Sequence, residues 1–241
     1  MRCKLTLSYN GAFFKGSQQQ ATSEPTVLGL LIQALKQLHI DAVPVASGRT
    51  DRGVHATAQV IHVDLPPFWN DLTKLNHALT HQLPASIHIK KIEAVTKRFH
   101  ARYSAKKRRY RYILCEQEPN PFQADFVTFI PNVNLQRIQE AIILFEGTHN
   151  FEMFKKNGSV TASCERTIYK TRAYRHRHYI VLTFEANGFL RSQVRMMVQF
   201  LLEVGYGTRT LYELQEQLTC KKCHLTRLAP HQGLYLTTVK Y

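Results

Sequence analysis

The run Gly48-Arg49-Thr50-Asp51-Arg52-Gly53-Val54-His55-Ala56 sets one carboxylate between two arginines and brackets all three with glycines. Glycine admits tight turns and close approach of a ligand, and cations on both sides of a carboxylate favour its charged form. A charged Asp51 fixed in such a loop has the chemistry of a nucleophile or a base. Composition also suits a plainer reading, a loop aspartate that satisfies its own turn and pairs with arginine at the surface.

Two further segments combine charge with a regular spacing. In Lys106-Lys107-Arg108-Arg109-Tyr110-Arg111-Tyr112, a strand would put Tyr110 and Tyr112 on one face and Arg109 and Arg111 on the other. Aromatic rings beside cations make a stacking platform for an unpaired base; two core tyrosines flanked by solvated arginines is the alternative. Phe189-Leu190-Arg191-Ser192-Gln193-Val194-Arg195-Met196-Met197-Val198 reads as the opening of an apolar helix. Met197 and Val198 would turn to the core, and Arg191 and Arg195, four residues apart, would share a face. Cations in a first turn oppose the helix dipole, so they point to an anionic partner, the alternative being two surface arginines.

Metal and cofactor signals are weak. The 12 histidines lack ligand spacing: His176 and His178 alternate on a strand edge, and His149, His224 and His231 fall in expected loops. Cys220-Lys221-Lys222-Cys223-His224 has the letters of a haem-attachment string, yet zinc would need ligands that no second cysteine pair supplies. A surface turn after a helix is the expected reading. No phosphate-cradling glycine string is present, and Asn157-Gly158-Ser159 is a glycosylation sequon by letters only. No metal and no cofactor are expected.

Lysine and arginine number 32 against 17 aspartate and glutamate in 241 residues, a formal charge of +15. Such an excess attracts polyanions. Its interleaving with Tyr, Phe and His favours nucleic acid over an anionic membrane or an acidic protein. No apolar stretch approaches the ~18 residues of a membrane span. The opening residues alternate as a strand rather than as a signal peptide, so a soluble, cytoplasmic protein, or one of an organelle lumen reached without a classical leader, is expected. The five cysteines, odd in number and irregularly spaced, argue against a disulfide framework.

The elements that must position these residues follow from periodicity. Cys3, Leu5, Leu7 and Tyr9 lie on one face of a strand. Thr26 caps a helix from Val27 to Leu38, with Val27, Leu30, Leu31, Ala34, Leu35 and Leu38 as its stripe. Short strands are expected at Ala42 to Ala46 and Ala58 to Leu65, a helix around Leu72 to Leu79, and a strand from Ile87 to Val95. In the second half the expected elements are a strand from Tyr110 to Cys115 and a helix from Leu135 to Phe145, capped by Asn134 and stopped by Gly147. Strands at Thr167 to Tyr174 and Tyr179 to Ala186, helices at Phe189 to Val204 and Leu211 to Leu218, and a strand from Leu234 to Tyr241 complete it. Both halves have the order β-α-β-β-α-β of a ferredoxin-like unit, the second with an added short helix, and the joint lies near residues 100 to 106. The expectation is an α+β fold of two such halves, 1–104 and 105–241. Their antiparallel sheets would join side by side, with helices on one face and a basic cleft on the other.

At these residues the sequence resembles the TruA family of tRNA pseudouridine synthases. The run Gly48 to Ala56 is similar to that family's active-site loop. Phe99-His100-Ala101-Arg102-Tyr103-Ser104-Ala105 with Arg109-Tyr110-Arg111-Tyr112 resembles its second segment. Asn187-Gly188-Phe189-Leu190 with Val194-Arg195 resembles its third, and Ala229-Pro230, Gly233-Leu234-Tyr235-Leu236 and Val239-Lys240-Tyr241 its closing strand. The resemblance implies isomerisation of uridine to pseudouridine at positions 38, 39 and 40 of the tRNA anticodon stem-loop, by a homodimer without cofactor or metal. It implies that Asp51 acts as the nucleophile or charge-stabiliser that breaks the C1′–N1 bond, after which the uracil turns and reattaches through C5. Arg195 would pair with Asp51, Arg49 would help extrude the base, and Tyr110 would stack on it and relay a proton. Asp51, Arg195 and Tyr110 are thus the expected catalytic residues. Arg49, Tyr110, Arg52, His55, Arg109 and Arg191 are the expected substrate-binding ones. Extrusion of a base costs a few kcal/mol, least in loops. The chain departs from the family pattern at Gly16-Ser17-Gln18-Gln19-Gln20, where the family usually has Gly-Trp-Gln-x-Gln, and at Gln193, where it often has Met. A non-catalytic RNA-binding module on the same scaffold is the rival reading; a haem or metal protein using Cys220, Cys223 and His224 is a third.

Overall fold

The computed structural model describes residues 1–19, 24–158 and 161–241. Gln20, the last residue of the departing segment, and Ser159 of the sequon lie outside them. The chain divides into two compact units, one of Met1–Lys106 with Tyr235–Tyr241 and one of Lys107–Leu234. Each has its own core.

In the first unit, strand β1 (Arg2–Tyr9) buries alternate residues, so Cys3, Leu5 and Leu7 are wholly covered. Helix α1 (Val27–Gln37) starts where the Thr26 hydroxyl accepts the Gly29 N–H, supplying a partner to one of the donors that a helix start leaves orphaned. Its buried stripe is Val27, Leu28, Leu31, Ala34 and Leu35; Leu30 and Leu38, expected in it, are only half-buried. Strand β2 is just Val45–Ala46, shorter than Ala42 to Ala46 because Pro44 has no N–H to give a ladder. Strand β3 (His55–Asp64), helix α2 (Leu72–Gln82, capped by Asp71) and strand β4 (Ile87–Ala94) follow. The sheet order is β4-β1-β3 with β2 on the far side of β3, all antiparallel. That is the split βαβ arrangement.

In the second unit, strand β5 (Lys107–Cys115) takes in most of the basic run that the sequence left outside it. Pairing of Arg108 with Ala186 and of Arg109 with Glu185 extends the ladder. After the two-residue strand β6 (Thr128–Phe129) comes α3 (Leu135–Ile142), with Asn134 as its cap and a 3₁₀ turn to Phe145. Gly147, at φ +104°, ends this stretch as expected. It also opens strand β7 (Gly147–Asn150), which the sequence reading missed and which makes His149 a strand residue rather than a loop one. Strands β8 (Glu165–His176) and β9 (Tyr179–Ala186) form a hairpin whose turn, not a strand edge, holds His178. Helices α4 (Gln193–Gly205) and α5 (Leu211–Leu218) lead to strand β10 (Leu234–Lys240). The unit's sheet runs β5-β9-β8-β7, so β5, β9 and β8 hold the places of strands one, three and two of the same split order.

Most of β10 belongs to the first unit, where it pairs parallel with β3 at Tyr235 and His55. The sheet is therefore mixed rather than purely antiparallel, because the chain returns along β3 from a distant segment and not through a hairpin. The α+β class stands. Among the described residues no helix is long and apolar enough to cross a membrane.

Candidate active site

Asp51 stands in the loop between β2 and β3, half-buried, between exposed Arg49 and Arg52. Its main chain is held at both ends. The Val54 N–H donates to the Asp51 carbonyl (3.2 Å), closing a turn whose third residue, Gly53, sits at φ +73°, a conformation that glycine adopts without strain. On the other side Thr50 is clamped: its N–H donates to the Ser17 hydroxyl (2.8 Å), and the Ser17 N–H donates to the Thr50 carbonyl (3.1 Å). The Thr50 hydroxyl shares a buried hydrogen bond with the Tyr9 hydroxyl (2.9 Å). Burial pushes the Tyr9 phenol up to about 12, against the opposing hydrogen bond from Thr50, so it remains a hydroxyl at neutral pH. Gln59 ties the loop's start, accepting the Ser47 hydroxyl (2.7 Å) and donating to the Gly48 carbonyl (2.9 Å).

His55 is turned inward. It is 1% exposed, its Nδ1 accepts the Gly11 N–H (2.9 Å), and its ring stacks on Tyr235 with centroids 4.6 Å apart. Expected as a substrate contact, it is buried, with Gly11 and Tyr235 among its partners.

The second unit holds the other expected residues. Tyr110 is 8% exposed and Tyr112 fully buried. Tyr112 is a core residue whose hydroxyl donates to the Pro230 carbonyl (2.7 Å). Tyr110 meets Phe189 edge-on at 5.2 Å, which brings the tyrosine strand and the Asn187–Leu190 segment together. That segment is stitched to the sheet: Arg108 donates to the Asn187 carbonyl (2.7 Å), and the Asn187 side chain accepts the Thr167 N–H (3.1 Å). Arg109 is engaged by buried Glu185, with Nη2 at 2.6 Å and Nε at 3.0 Å from Oε2, and Lys107 approaches the same carboxylate at 3.3 Å.

Helix α4 begins four residues later than expected. Ser192 precedes it in a left-handed conformation, φ +57°, and makes no side-chain cap bond. The Leu190 N–H is taken by the Gln193 side chain (2.8 Å), which closes the preceding turn. Arg191 consequently lies outside the helix and does not share a helical face with Arg195; it is exposed, 3.3 Å from the Asn157 carbonyl. Arg195 is half-buried. Its Nε donates to the Ala229 carbonyl (2.8 Å), and its own carbonyl accepts the Ala229 N–H (3.1 Å). The Ala229–Pro230 segment is thereby pinned to the helix start.

A basic cleft opposite the helices was expected, with Arg109 and Arg111 on one strand face, but Lys170, Arg172 and Tyr174 of β8 were not singled out. The open face of this unit's sheet has a depression of about 240 Å³ lined by Arg109, Arg111, Lys170, Arg172, Tyr174 and Glu185, among others. Alternation along β8 was the available signal, since Lys170, Arg172 and Tyr174 share the face opposite buried Thr171 and Ala173. Several cations against one buried, paired carboxylate suit a polyanion.

Among the described residues no group of three or more His, Cys, Asp or Glu side chains is placed to hold a metal ion. Cys220, at φ +56°, follows α5 in a turn, and the His224 ring lies 2.9 Å from Glu216 and 3.5 Å from Glu213.

A family model described as tRNA pseudouridine synthase matches residues 7–104 and 141–241. The chain is 39% identical to tRNA pseudouridine synthase A of Wolinella succinogenes over 98% of its own length and 92% of that relative's. It is 40% identical to the protein of the same name from Oceanobacillus iheyensis over 100% and 96%, and 37% to that from Helicobacter pylori over the whole of both chains. Among solved structures, a Cbf5-Nop10-Gar1 complex is similar at 12% identity and a TM-score of 0.37, over 83% of this chain and 45% of that one, too low a likeness to carry an argument.

Proposed function

The chain belongs to the tRNA pseudouridine synthase family and is an isomerase that modifies tRNA, and from that premise we propose that its targets are uridines 38, 39 and 40 of the anticodon stem-loop. In the reaction the C1′–N1 bond breaks, a C1′–C5 bond forms, C5 gives up its proton and N1 gains one, so no atom is gained or lost. Asp51 acts at C1′, as nucleophile or as stabiliser of the charge that develops there. Tyr110 stacks on the extruded uracil, and Arg195 supplies positive charge to the same reaction. Arg49 fills the space the base leaves. Arg52, Arg109 and Arg191, with the basic sheet face of the second unit, hold phosphates. His55 serves by anchoring the loop from behind.

In this reading the half 1–104 carries the aspartate loop, and the half 105–241 carries the tyrosine strand and the arginine helix. A tRNA substrate favours a cytoplasmic location. The family resemblance favours a homodimer, which sedimentation of the purified protein would test. The observation that most supports the assignment is the loop Gly48–Ala56, which lies inside a family match spanning both halves of the chain.

The test is tritium release from tRNA carrying [5-³H]uridine, followed by mapping of pseudouridine in total tRNA from cells with and without the gene. Release with new pseudouridine at 38 to 40 is expected. Release with pseudouridine elsewhere would keep the activity and discard the site.

A further inference from the structure

Ser17 is 1% exposed and Thr50 is 7% exposed, and they hold each other through both of Thr50's peptide groups. The Thr50 N–H belongs to the peptide that joins it to Arg49, and the Thr50 carbonyl to the peptide that joins it to Asp51. The first donates to the Ser17 hydroxyl at 2.8 Å; the second accepts the Ser17 N–H at 3.1 Å. The plane from which Asp51 departs is thus set by Ser17, and the plane after Asp51 is set by the Val54 N–H at 3.2 Å. Ser17 is itself anchored, because its carbonyl accepts the Leu28 N–H (3.0 Å) in the first turn of α1. The close approach depends on Gly16, whose φ is +103° and where a Cβ would stand 2.9 Å from the Thr50 carbonyl oxygen.

We propose that Ser17 is a positioning residue for the isomerisation: its hydroxyl and peptide N–H fix the two peptides around Thr50 and so set where the Asp51 carboxylate stands. A buried N–H that loses its acceptor is costly to leave unpaired, and the loop would shift to find water. Shifts near 1 Å at a reacting group cost up to about 100-fold in rate. The tryptophan usual at this place in the resembling family has a ring N–H donor and no acceptor, so it could not receive the Thr50 N–H. The acceptor for the Thr50 N–H is therefore specific to a small hydroxyl residue here, while the bond from the residue 17 N–H to the Thr50 carbonyl is main-chain and open to any side chain.

The proposal rests on the isomerase reading, so two readouts are paired. One is the single-turnover rate of tritium release from [5-³H]uridine tRNA, with tRNA affinity measured alongside. The other is amide hydrogen exchange at Thr50 and Asp51, which needs no activity. For Ser17→Ala the expectation is a rate lower by roughly 10- to 100-fold with tRNA affinity within about 3-fold, faster exchange at Thr50, and recovery of most of the rate in Ser17→Thr. A folded Ser17→Ala protein with wild-type rate, or with unchanged exchange at Thr50, overturns the proposal. So does a loss that appears wholly in tRNA affinity. If Ser17→Ala does not fold, Ser17→Cys carries the same expectation, since it fills the volume but accepts weakly. Wild-type protein that releases no tritium sinks the isomerase reading, while the exchange experiment still judges the clamp.

Discussion

The Asp51 loop and the start of helix α4 are both tied to distant segments by a reciprocal pair of hydrogen bonds, but the site residue plays opposite parts in the two. In the loop the pair joins Ser17 to Thr50, the neighbour of Asp51, and uses Thr50's two peptides. At the helix the pair joins Ala229 to Arg195 itself and engages its Nε. A short aspartate has few rotatable bonds, so fixing its main chain nearly fixes its carboxylate. An arginine is long and rich in rotamers, so its own side chain must be held to place the guanidinium. The two helix starts nearby in sequence differ in the same spirit. Thr210 opens α5 with a full capping box to Glu213, whereas Ser192 opens α4 left-handed and without a side-chain cap. Local helix rules are obeyed at α5 and set aside beside Arg195, as happens where a site makes its own demands.

Substitutions can break this comparison, the largest effect first. Asp51→Asn should abolish tritium release, by at least on the order of 10³-fold, with tRNA affinity within a few-fold in a filter-binding assay. Turnover near wild type would remove Asp51 from the chemistry. Arg195→Lys keeps the charge but loses the planar fork, and kcat/KM should fall about 10- to 100-fold with little change in melting temperature. If lysine suffices, the Ala229 bond has no part in placing the charge. Arg111→Ala and Arg172→Ala should leave single-turnover chemistry at saturating tRNA intact, and each should reduce the slope of log affinity against log salt by about 1. An unaltered slope would take the basic sheet face out of RNA binding.

The smallest effect is at the ordinary helix start. Thr210→Ala should cost about 1 kcal/mol, a fall in Tm of roughly 2–4 °C for a chain of this size, without change in turnover. The Glu213 carboxyl is held below its ordinary value, first by the Thr210 backbone N–H and then by Arg209. A depressed native value adds stability above the unfolded carboxylate's titration and loses it as pH falls through the native one. Thr210→Ala keeps that backbone N–H, so it is Glu213→Gln, which has no carboxyl to titrate, that should flatten the acid side of the stability–pH profile, and a thermal melt series from neutral to acid pH would show it.

Much of this was legible in the residues. The alternation of Cys3, Leu5 and Leu7, the caps at Thr26 and Asn134, and the bounds of β9 and α5 all follow from side-chain period and capping chemistry. Local rules failed where partners came from far away. Strand β3 starts at His55 rather than Ala58 because Tyr9 and Tyr235 pair along it. Strand β5 reaches back to Lys107 because Glu185, on the neighbouring strand, pairs with both Lys107 and Arg109. Four-residue spacing put Arg191 and Arg195 on one face, and the left-handed Ser192 undid it.

The residue string by itself determined the α+β class, the charge that selects a polyanion, and the loop with Asp51 at its centre, because these depend on side-chain type and on spacings of a few residues. Tertiary structure alone decided that Ser17 grips Thr50, that His55 faces inward, and that Ala229 pins Arg195. Each of those contacts joins segments more than 30 residues apart, a range over which no local periodicity carries information.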